Sequence, residues 1–140
     1  MNSLRPISNC TSQPTIYKTM KPTFNAGTNI AMKVPTQEYE QTVTFYRDVL
    51  GLPMVTGEVA SSTESIRFHF GDKVLWIDKV ASLSQAEIWL EIVSDDIAAA
   101  SAYLEAQGCD RRDEIEPLPT GFWISNPGNI IHLVTAPTDG

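Results

Sequence analysis

The chain has 140 residues, of which 42% are hydrophobic and 19% charged, so it is long enough for one globular domain with a core. Its formal net charge of −7 argues against nucleic acid as a partner, because phosphate binding needs clustered Lys and Arg. The sequence contains no apolar run of about 18 residues, the length at which a membrane-spanning helix is expected, so we expect no membrane partner.

Residues 1–27 are rich in Ser, Thr, Asn and Pro and are predicted to be a polar leader or arm. They contain no apolar segment of the kind found in secretory signals. The chain has two cysteines, Cys10 in this leader and Cys109 after the second predicted helix. Their spacing fits neither a disulfide framework nor a metal motif, and we expect a cytoplasmic protein.

Residues 28–137 are predicted to form one domain, whose first half covers about residues 28–80. A half-buried strand is indicated over Asn29–Val34, where apolar and polar residues alternate. A helix over Tyr39–Leu52 follows, with Thr36 as its expected N-cap and Gly51 at its C-terminus. Three further strands are predicted, at Met54–Val59, Ser65–Phe70 and Val74–Asp78.

The second half, about residues 86–137, repeats this order of elements. A strand is predicted from Glu87 to Ile92, and a helix from Ile97 to Gln107. Gly108 ends this helix 57 residues after Gly51 ends the first. Three strands then follow, at Arg111–Glu116, Phe122–Ser125 and Ile130–Thr135.

This order of elements predicts an α+β fold, in which helices cover one face of a mainly antiparallel sheet. The apolar residues of the strands alternate with polar ones, so one face of the sheet is assigned to the helices. The opposite face must be exposed to solvent, line a cup, or form an interface. The pattern itself leaves these alternatives open.

Two segments resemble the glyoxalase, bleomycin-resistance and extradiol dioxygenase superfamily, which is also called the vicinal oxygen chelate superfamily. They are FYRDVLGL at Phe45–Leu52 and NPGNIIHLV at Asn126–Val134. The resemblance extends over about residues 28–137. It implies two tandem βαβββ modules, about 28–80 and 86–137, that form a cup-shaped sheet with helices on the outer face. It also implies a homodimer.

The resemblance further implies four metal-ligand positions, on the first and last strand of each module. They fall at Asn29, Trp76, Glu87 and His132, with Leu75 and Ile88 as alternatives to the second and third if the register shifts by one residue. Tryptophan does not ligate such metals, and the Asn amide is a weak ligand. We therefore expect no metal and no other cofactor.

All the tryptophans of the chain are predicted on the strand face opposite the helices, at Trp76, Trp89 and Trp123. Each of them could instead pack within a closed sheet or a dimer contact. Three on one face favour a lined pocket for a flat aromatic or cationic molecule, since indole faces attract both. The carboxylates of Asp78, Glu87 and Glu91, on the same predicted face, would add attraction for a cation.

The histidines complete the set of candidate binding residues. His132 is predicted on the cup face, either as a hydrogen-bonded structural residue or as a polar group or general base for a ligand. His69 shares the predicted face of Arg67 and is expected at the rim of the cup. The predicted ligand-binding set also contains Asn29.

The resulting hypothesis is metal-free binding of a small flat aromatic or cationic organic molecule, in the manner of bleomycin-resistance proteins that sequester drugs. No catalytic residue is predicted, and whether the protein is an enzyme stays open. The alternative is a metal-dependent lyase, isomerase, dioxygenase or thiol transferase with altered ligands. A metal-free enzyme using His132 or Glu87 in acid–base chemistry is a third interpretation.

Overall fold

The fold is described from a computed structural model, which covers residues 21–57 and 63–137. The first module contains strand β1, helix α1 with a closing π-helical turn, and strands β2 and β3. They span Phe24–Val34, Thr36–Thr44, Phe45–Val49, Ser65–Phe70 and Lys73–Lys79. The second module contains strand β4, helix α2 and strands β5 to β7. These span Glu87–Ser94, Ile97–Ala106, Asp110–Arg111, Phe122–Ser125 and Ile131–Thr135.

Within the described residues the strands form one seven-stranded sheet in the order β2-β3-β1-β4-β7-β6-β5. The first strand of each module pairs in parallel with the last strand of the same module, β1 with β3 and β4 with β7. The other pairs are antiparallel. The pair β1–β4 joins the two modules at the centre of the sheet. One mixed sheet with a helix from each module confirms the predicted α+β fold.

Each module has its own hydrophobic core between its helix and the sheet. The first core is formed by Val34, Tyr39, Val43, Phe68, Leu75 and Ile77. The second is formed by Ala100, Phe122, Ile124 and Val134. Because strand residues alternate between faces, these cores leave the opposite face of the sheet to the intervening residues.

The sheet begins earlier than the sequence indicated. Strand β1 starts at Phe24, whose ring lies 6.0 Å from that of Tyr103 on α2. Just before it, the Thr23 amide donates to a carboxylate oxygen of Asp95 at 3.0 Å. Residues 24–27 therefore belong to the sheet and not to the predicted leader, and residues 1–20 of that leader lie outside the described part.

The first helix confirms the predicted ending but not the predicted start. Gly51 has the positive φ of 70° that favours glycine after a helix. The amide of Leu50 bonds the carbonyl of Phe45 at 2.9 Å, which closes the π-helical turn. Pro35 is the residue before the first turn, and Thr36 already lies inside the helix. The prediction of Thr36 as the N-cap is therefore wrong.

Two predicted strands are shorter than expected. Of Met54–Val59, Met54 forms an isolated bridge with Phe68, and residues 58–59 lie outside the described part. The predicted strand at 111–116 is reduced to Asp110–Arg111, because the chain turns after it and Arg111 pairs with Asp113 two residues on, at 2.7 Å. In the described residues, no helix is long and apolar enough to cross a membrane.

Candidate functional site

A cavity of about 700 Å³, referred to below as the cup, lies on the face of the sheet opposite the helices. Small-molecule sites commonly occupy about 300–1,000 Å³. Both modules contribute to it, together with the loops at 80–86 and 112–121. Its lining includes Asn29, Ala31, Lys33, Trp76, Asp78, Trp89, Glu91, Trp123 and Leu133 from strands, and Leu83, Ile115 and Leu118 from loops.

All three tryptophans of the chain line the cup, as expected from the alternation of strand residues. The rings of Trp89 and Trp123 meet edge to face, with centroids 5.5 Å apart and planes at 70°. Trp76 lies on β3, across β1 from Trp89, since both pair with Ala31. The three rings are therefore contributed by both modules and meet at one cavity.

The indole N–H groups are all bonded within the protein. Trp76 Nε1 donates to Asn29 Oδ1 at 2.7 Å, and Trp89 Nε1 donates to Glu87 Oε1 at 2.9 Å. Trp123 Nε1 donates to the Glu116 carbonyl at 3.2 Å. These bonds fix the rings, so the indoles present their apolar faces to the cup rather than free donors.

A buried ion pair forms part of the lining; the sequence placed Asp78 on this face but did not predict Lys33 as its partner. Lys33 Nζ lies 2.7 Å from Asp78 Oδ2, and the side chains are 16% and 5% exposed. Ser65 donates to the other oxygen of Asp78 at 2.5 Å, so this carboxylate has two partners. Lys33 lies between Met32 and Val34, which face the first core, so the alternation of strand residues would have placed Lys33 on the cup face.

Cations already lie over two of the tryptophans. Lys33 Nζ is 4.4 Å from the centroid of Trp89, and the guanidinium of Arg67 is 5.4 Å from that of Trp76. Arg67 also donates a hydrogen bond to the Gly57 carbonyl at 3.0 Å. A ligand cation would compete with these charges for the same ring faces.

Glu91 and Asn29, both predicted binding residues, form a hydrogen-bonded unit in the lining. Glu91 Oε1 accepts from the Thr28 amide at 2.9 Å and from the Asn29 amide at 3.0 Å. The side-chain nitrogen Nδ2 of Asn29 adds a third bond to Oε1, at 3.2 Å. Since Asn29 also accepts from Trp76, the unit connects the carboxylate to an indole of the cup.

Strand β1 is shaped to admit this carboxylate. Its register with β4 shifts between Ala26 and Ile30, and this irregularity brings the amides of residues 28 and 29 to one oxygen. A Cβ at Gly27 would lie 2.4 Å from Glu91 Oε1 and 2.7 Å from Glu91 Cβ. Glycine is therefore required at position 27, because there is no space for a side chain.

Glu87 was predicted to line the cup, but the structure places it outside that lining. It is the exposed first residue of β4, where it pairs with Lys33 and accepts a hydrogen bond from the Trp89 indole. The alternative residue at this position, Ile88, pairs with Met32, which packs against the first core. Ile88 therefore faces the helix side of the sheet.

The expectation that His132 faces the cup is wrong by one residue. His132 pairs with Leu90 and with Ile124, a member of the second core. Its neighbour Leu133 pairs with Trp123 and lines the cup instead. The register is fixed after the turn at 126–129, where Asn129 has a positive φ of 64°, and the sequence pattern did not reveal it.

His69 is also not part of the lining. It is an exposed residue of β2 that pairs with Val74, and its amide donates to the Pro53 carbonyl at 2.9 Å. It brings no imidazole into the lining, and its expected place at the rim of the cup stays a prediction. Of the eight predicted binding residues, the structure brings together Asn29, Trp76, Trp89, Glu91 and Trp123.

The donors in the cup do not fit the divalent metal that the resemblance implies. Of the four implied positions, Asn29 and Trp76 line the cup, whereas Glu87 and His132 do not. The lining carboxylate of Asp78 is already bonded to Lys33 and a hydroxyl. Within residues 21–57 and 63–137, no three His, Cys, Asp or Glu residues are grouped so that they could hold a metal.

Comparison with known proteins identifies the fold through solved structures. No protein-family model matches the sequence, and no curated protein matches it. The Mn(II)-bound glyoxalase from Novosphingobium aromaticivorans superposes with a TM-score of 0.59 at 20% identity. The chain has a glyoxalase-type fold. This match covers 82% of the chain and 40% of the glyoxalase.

Other solved structures share the fold at similar distances. Methylmalonyl-CoA epimerase from Mycobacterium tuberculosis matches with a TM-score of 0.55 at 14% identity, over 81% of this chain and 88% of that one. Homoprotocatechuate 2,3-dioxygenase from Brevibacterium fuscum matches at 0.54 and 18%, over 84% and 38%. The chain thus spans less than half of the glyoxalase and of the dioxygenase. Identities this low carry the fold and not the activity.

Proposed function

We propose that this protein binds a small planar aromatic molecule in the cup, without a metal, and thereby sequesters or carries it in the manner of bleomycin-resistance proteins. The observation that carries the proposal is the convergence of Trp76, Trp89 and Trp123 on one cavity. Rings from both modules, held by their own N–H bonds, form a preorganised apolar surface. Preorganisation lowers the entropy lost when a ligand binds.

The cations that lie over two of the tryptophan rings favour a flat ligand over a simple cation. Lys33 lies over Trp89 and is neutralised by Asp78, so this ring face already has a cation partner. Arg67 has the same relation to Trp76. An ammonium ligand would be repelled by these two cations, whereas a planar neutral molecule carries no charge for them to repel.

Thermal-shift measurement on chelator-treated protein tests the proposal. The probes are planar aromatics such as quinoline and benzimidazole, with tetramethylammonium as the compact cation. A ligand at about 100 times its Kd stabilises the folded protein by about 2.7 kcal/mol. We expect the planar probes to raise the melting temperature in a saturable manner, and tetramethylammonium to have a smaller effect.

Two variants separate the cup from non-specific binding. Trp89→Leu removes a ring from the lining and is expected to weaken binding of the planar probes at least about fivefold, since base-sized rings gain about 1–3 kcal/mol by stacking on an aromatic side chain. His132→Gln changes the opposite face and is expected to leave binding unchanged. Lack of binding by every planar probe up to millimolar concentration would refute the proposed function.

A metal-dependent enzyme is the second candidate, favoured by the structural likeness to a Mn(II)-bound glyoxalase. It would require protein donors in the cup to change partners, because Asp78 and Glu91 are bonded internally. Metal analysis of protein purified without chelators distinguishes the two candidates. A stoichiometric transition metal that is lost on Asp78→Asn or Glu91→Gln would support the enzyme and contradict metal-free binding.

We propose that the protein forms a homodimer, as the sequence resemblance implies. The outer strands of the sheet, β2 and β5, end the strand order on either side and leave edges for pairing or for packing against a second copy. Light scattering coupled to size exclusion tests this, because the chain has a mass of 15.5 kDa. A monomer mass at micromolar concentration would contradict the proposal.

A further inference from the structure

The two oxygens of the Glu91 carboxylate differ in how many hydrogen bonds they accept from the protein. Oε1 accepts three hydrogen bonds, from two main-chain amides and the Asn29 side chain, at 2.9–3.2 Å. Oε2 has only a long 3.4 Å contact with Asn29 Nδ2 among the described residues. An ionised carboxylate has about four acceptor sites on its two oxygens. Oε2 therefore keeps hydrogen-bonding capacity in a residue that lines the cup.

The strand geometry supports a fixed position for this carboxylate. The register shift in β1 and the absence of a side chain at Gly27 create the space that Glu91 fills. Donors at Oε1 hold one end of the group, which leaves the other end in a defined direction. A side chain anchored in this way loses little conformational entropy when a ligand binds it.

The indole and ammonium groups of the cup are bonded to acceptors other than Glu91. The indole N–H groups of the three tryptophans bond to Asn29, Glu87 and the Glu116 carbonyl. The ammonium of Lys33 bonds to Asp78. Among the described residues only Asn29 Nδ2 bonds to Glu91 Oε2, so the remaining acceptor capacity of this oxygen is left to water or to the ligand. A ligand that displaces water without supplying a donor would leave this oxygen unsatisfied.

We infer that the cup selects planar aromatic molecules that carry an N–H or O–H donor on their edge, and that Glu91 Oε2 accepts this donor. The inference rests on the proposed function and specifies the class of its ligand. The tryptophans accept any flat ring, because every aromatic face can stack. Glu91 distinguishes among flat rings, because a hydrogen bond to a charged group is stronger than one between neutral groups.

Two isomeric probes test the inference directly. 2-Methylbenzimidazole has an N–H donor, whereas 1-methylbenzimidazole has the same atoms and no donor. Their dissociation constants are measured by calorimetry at pH 8, where both are neutral. We expect the wild-type protein to bind the N–H isomer at least about tenfold more tightly, the ratio that corresponds to a charge-assisted bond.

The same ratio is then measured in Glu91→Gln, which replaces the anionic acceptor with a neutral amide. The preference for the N–H isomer is expected to fall below about threefold, since the charged acceptor is lost. Glu105→Gln, an exposed position on α2, is the charge-matched control and should retain the wild-type ratio. Circular dichroism checks that both variants are folded, and the wild-type ratio tests the inference even if Glu91→Gln fails to fold.

The possible outcomes distinguish a failure of the role of Glu91 from a failure of the proposed aromatic-binding function. Equal affinity of the isomers in wild-type protein, or a preference that persists in folded Glu91→Gln, overturns the role of Glu91 and leaves the aromatic cup in place. Binding of other planar probes without binding of the N–H isomer also overturns it. If no planar probe binds at all, the proposed function fails, and the inference fails with it.

Discussion

The close contact between Gly27 and Glu91 predicts a loss of stability when Gly27 is replaced by alanine, and the size of this loss follows from the distances. In Gly27→Ala the new Cβ would lie 2.4 Å from Glu91 Oε1, 2.5 Å from Cγ and 2.7 Å from Cβ. Overpacking of this kind costs about 1–3 kcal/mol. Displacing the carboxylate also removes its bonds to the amides of residues 28 and 29, at about 1 kcal/mol or more each. We expect a total loss of about 3–5 kcal/mol in the free energy of unfolding.

A double-mutant cycle isolates the contact. Glu91→Gly is the required partner, because the Cβ of an alanine at 91 would still meet the new methyl at 2.7 Å. Glu91→Gly alone is expected to cost about 2–3 kcal/mol, from lost hydrogen bonds and a glycine within a strand. In the double variant the methyl group has space, so the added cost of Gly27→Ala should vanish or become a gain of about 0.5 kcal/mol.

Urea unfolding followed by circular dichroism measures all four proteins. We expect the two single changes to be non-additive by about 2 kcal/mol or more, with the double variant more stable than the sum predicts. Additivity within about 0.5 kcal/mol would show that the two residues do not meet, and would refute the geometry of the carboxylate site. A Gly27→Ala protein as stable as wild type would do the same.

Three further predictions concern the cores, the ion pair and the second helix. Tyr39→Phe should raise the unfolding free energy by about 1 kcal/mol, since the buried Tyr39 hydroxyl has no partner among the described residues. Burial, with smaller contributions from nearby carboxylates, raises the pKa of Tyr39 above its ordinary value. Folding therefore favours the neutral phenol, so the stability gap between Tyr39→Phe and wild type should widen as pH rises above about 10 in alkaline melts. Lys33→Met should cost about 2–4 kcal/mol in urea unfolding by leaving Asp78 unpaired, and Asp78→Asn in the same chain should recover part of it. Asp96→Ala should cost about 1 kcal/mol, because Asp96 accepts from the Ala99 amide at 3.0 Å as the N-cap of α2; no change in chemical-denaturation midpoint would contradict that role.

The sequence predicted those features that depend on local periodicity. The helical stripe ending at Gly51, and its counterpart ending at Gly108, located the two modules, and both glycines have the positive φ expected there. Alternation along the strands placed Trp76, Trp89 and Trp123 on the face opposite the cores. This placement requires only the two-residue period of side chains along a strand and one correctly assigned core residue in each strand.

Features that depend on register or on contacts between distant residues could not be predicted. A shift of one residue after the turn at 126–129 exchanged His132 for Leu133, because side chains in a strand alternate between faces. The site around Glu91 depends on an irregularity in β1, and no pattern in the sequence pairs Gly27 with a residue on β4. The loop residues that close the cup, such as Leu83 and Leu118, carry no periodic signal at all.

The most direct test of an aromatic-binding cup uses the fact that the chain has three tryptophans and all of them line it. A ¹⁵N-labelled sample should show three indole N–H resonances, assigned by single replacement of Trp76, Trp89 and Trp123. Titration with 2-methylbenzimidazole after chelator treatment is predicted to shift all three with one common Kd. Unchanged indole resonances at saturating or millimolar probe, with shifts confined to other parts of the chain, would contradict the account.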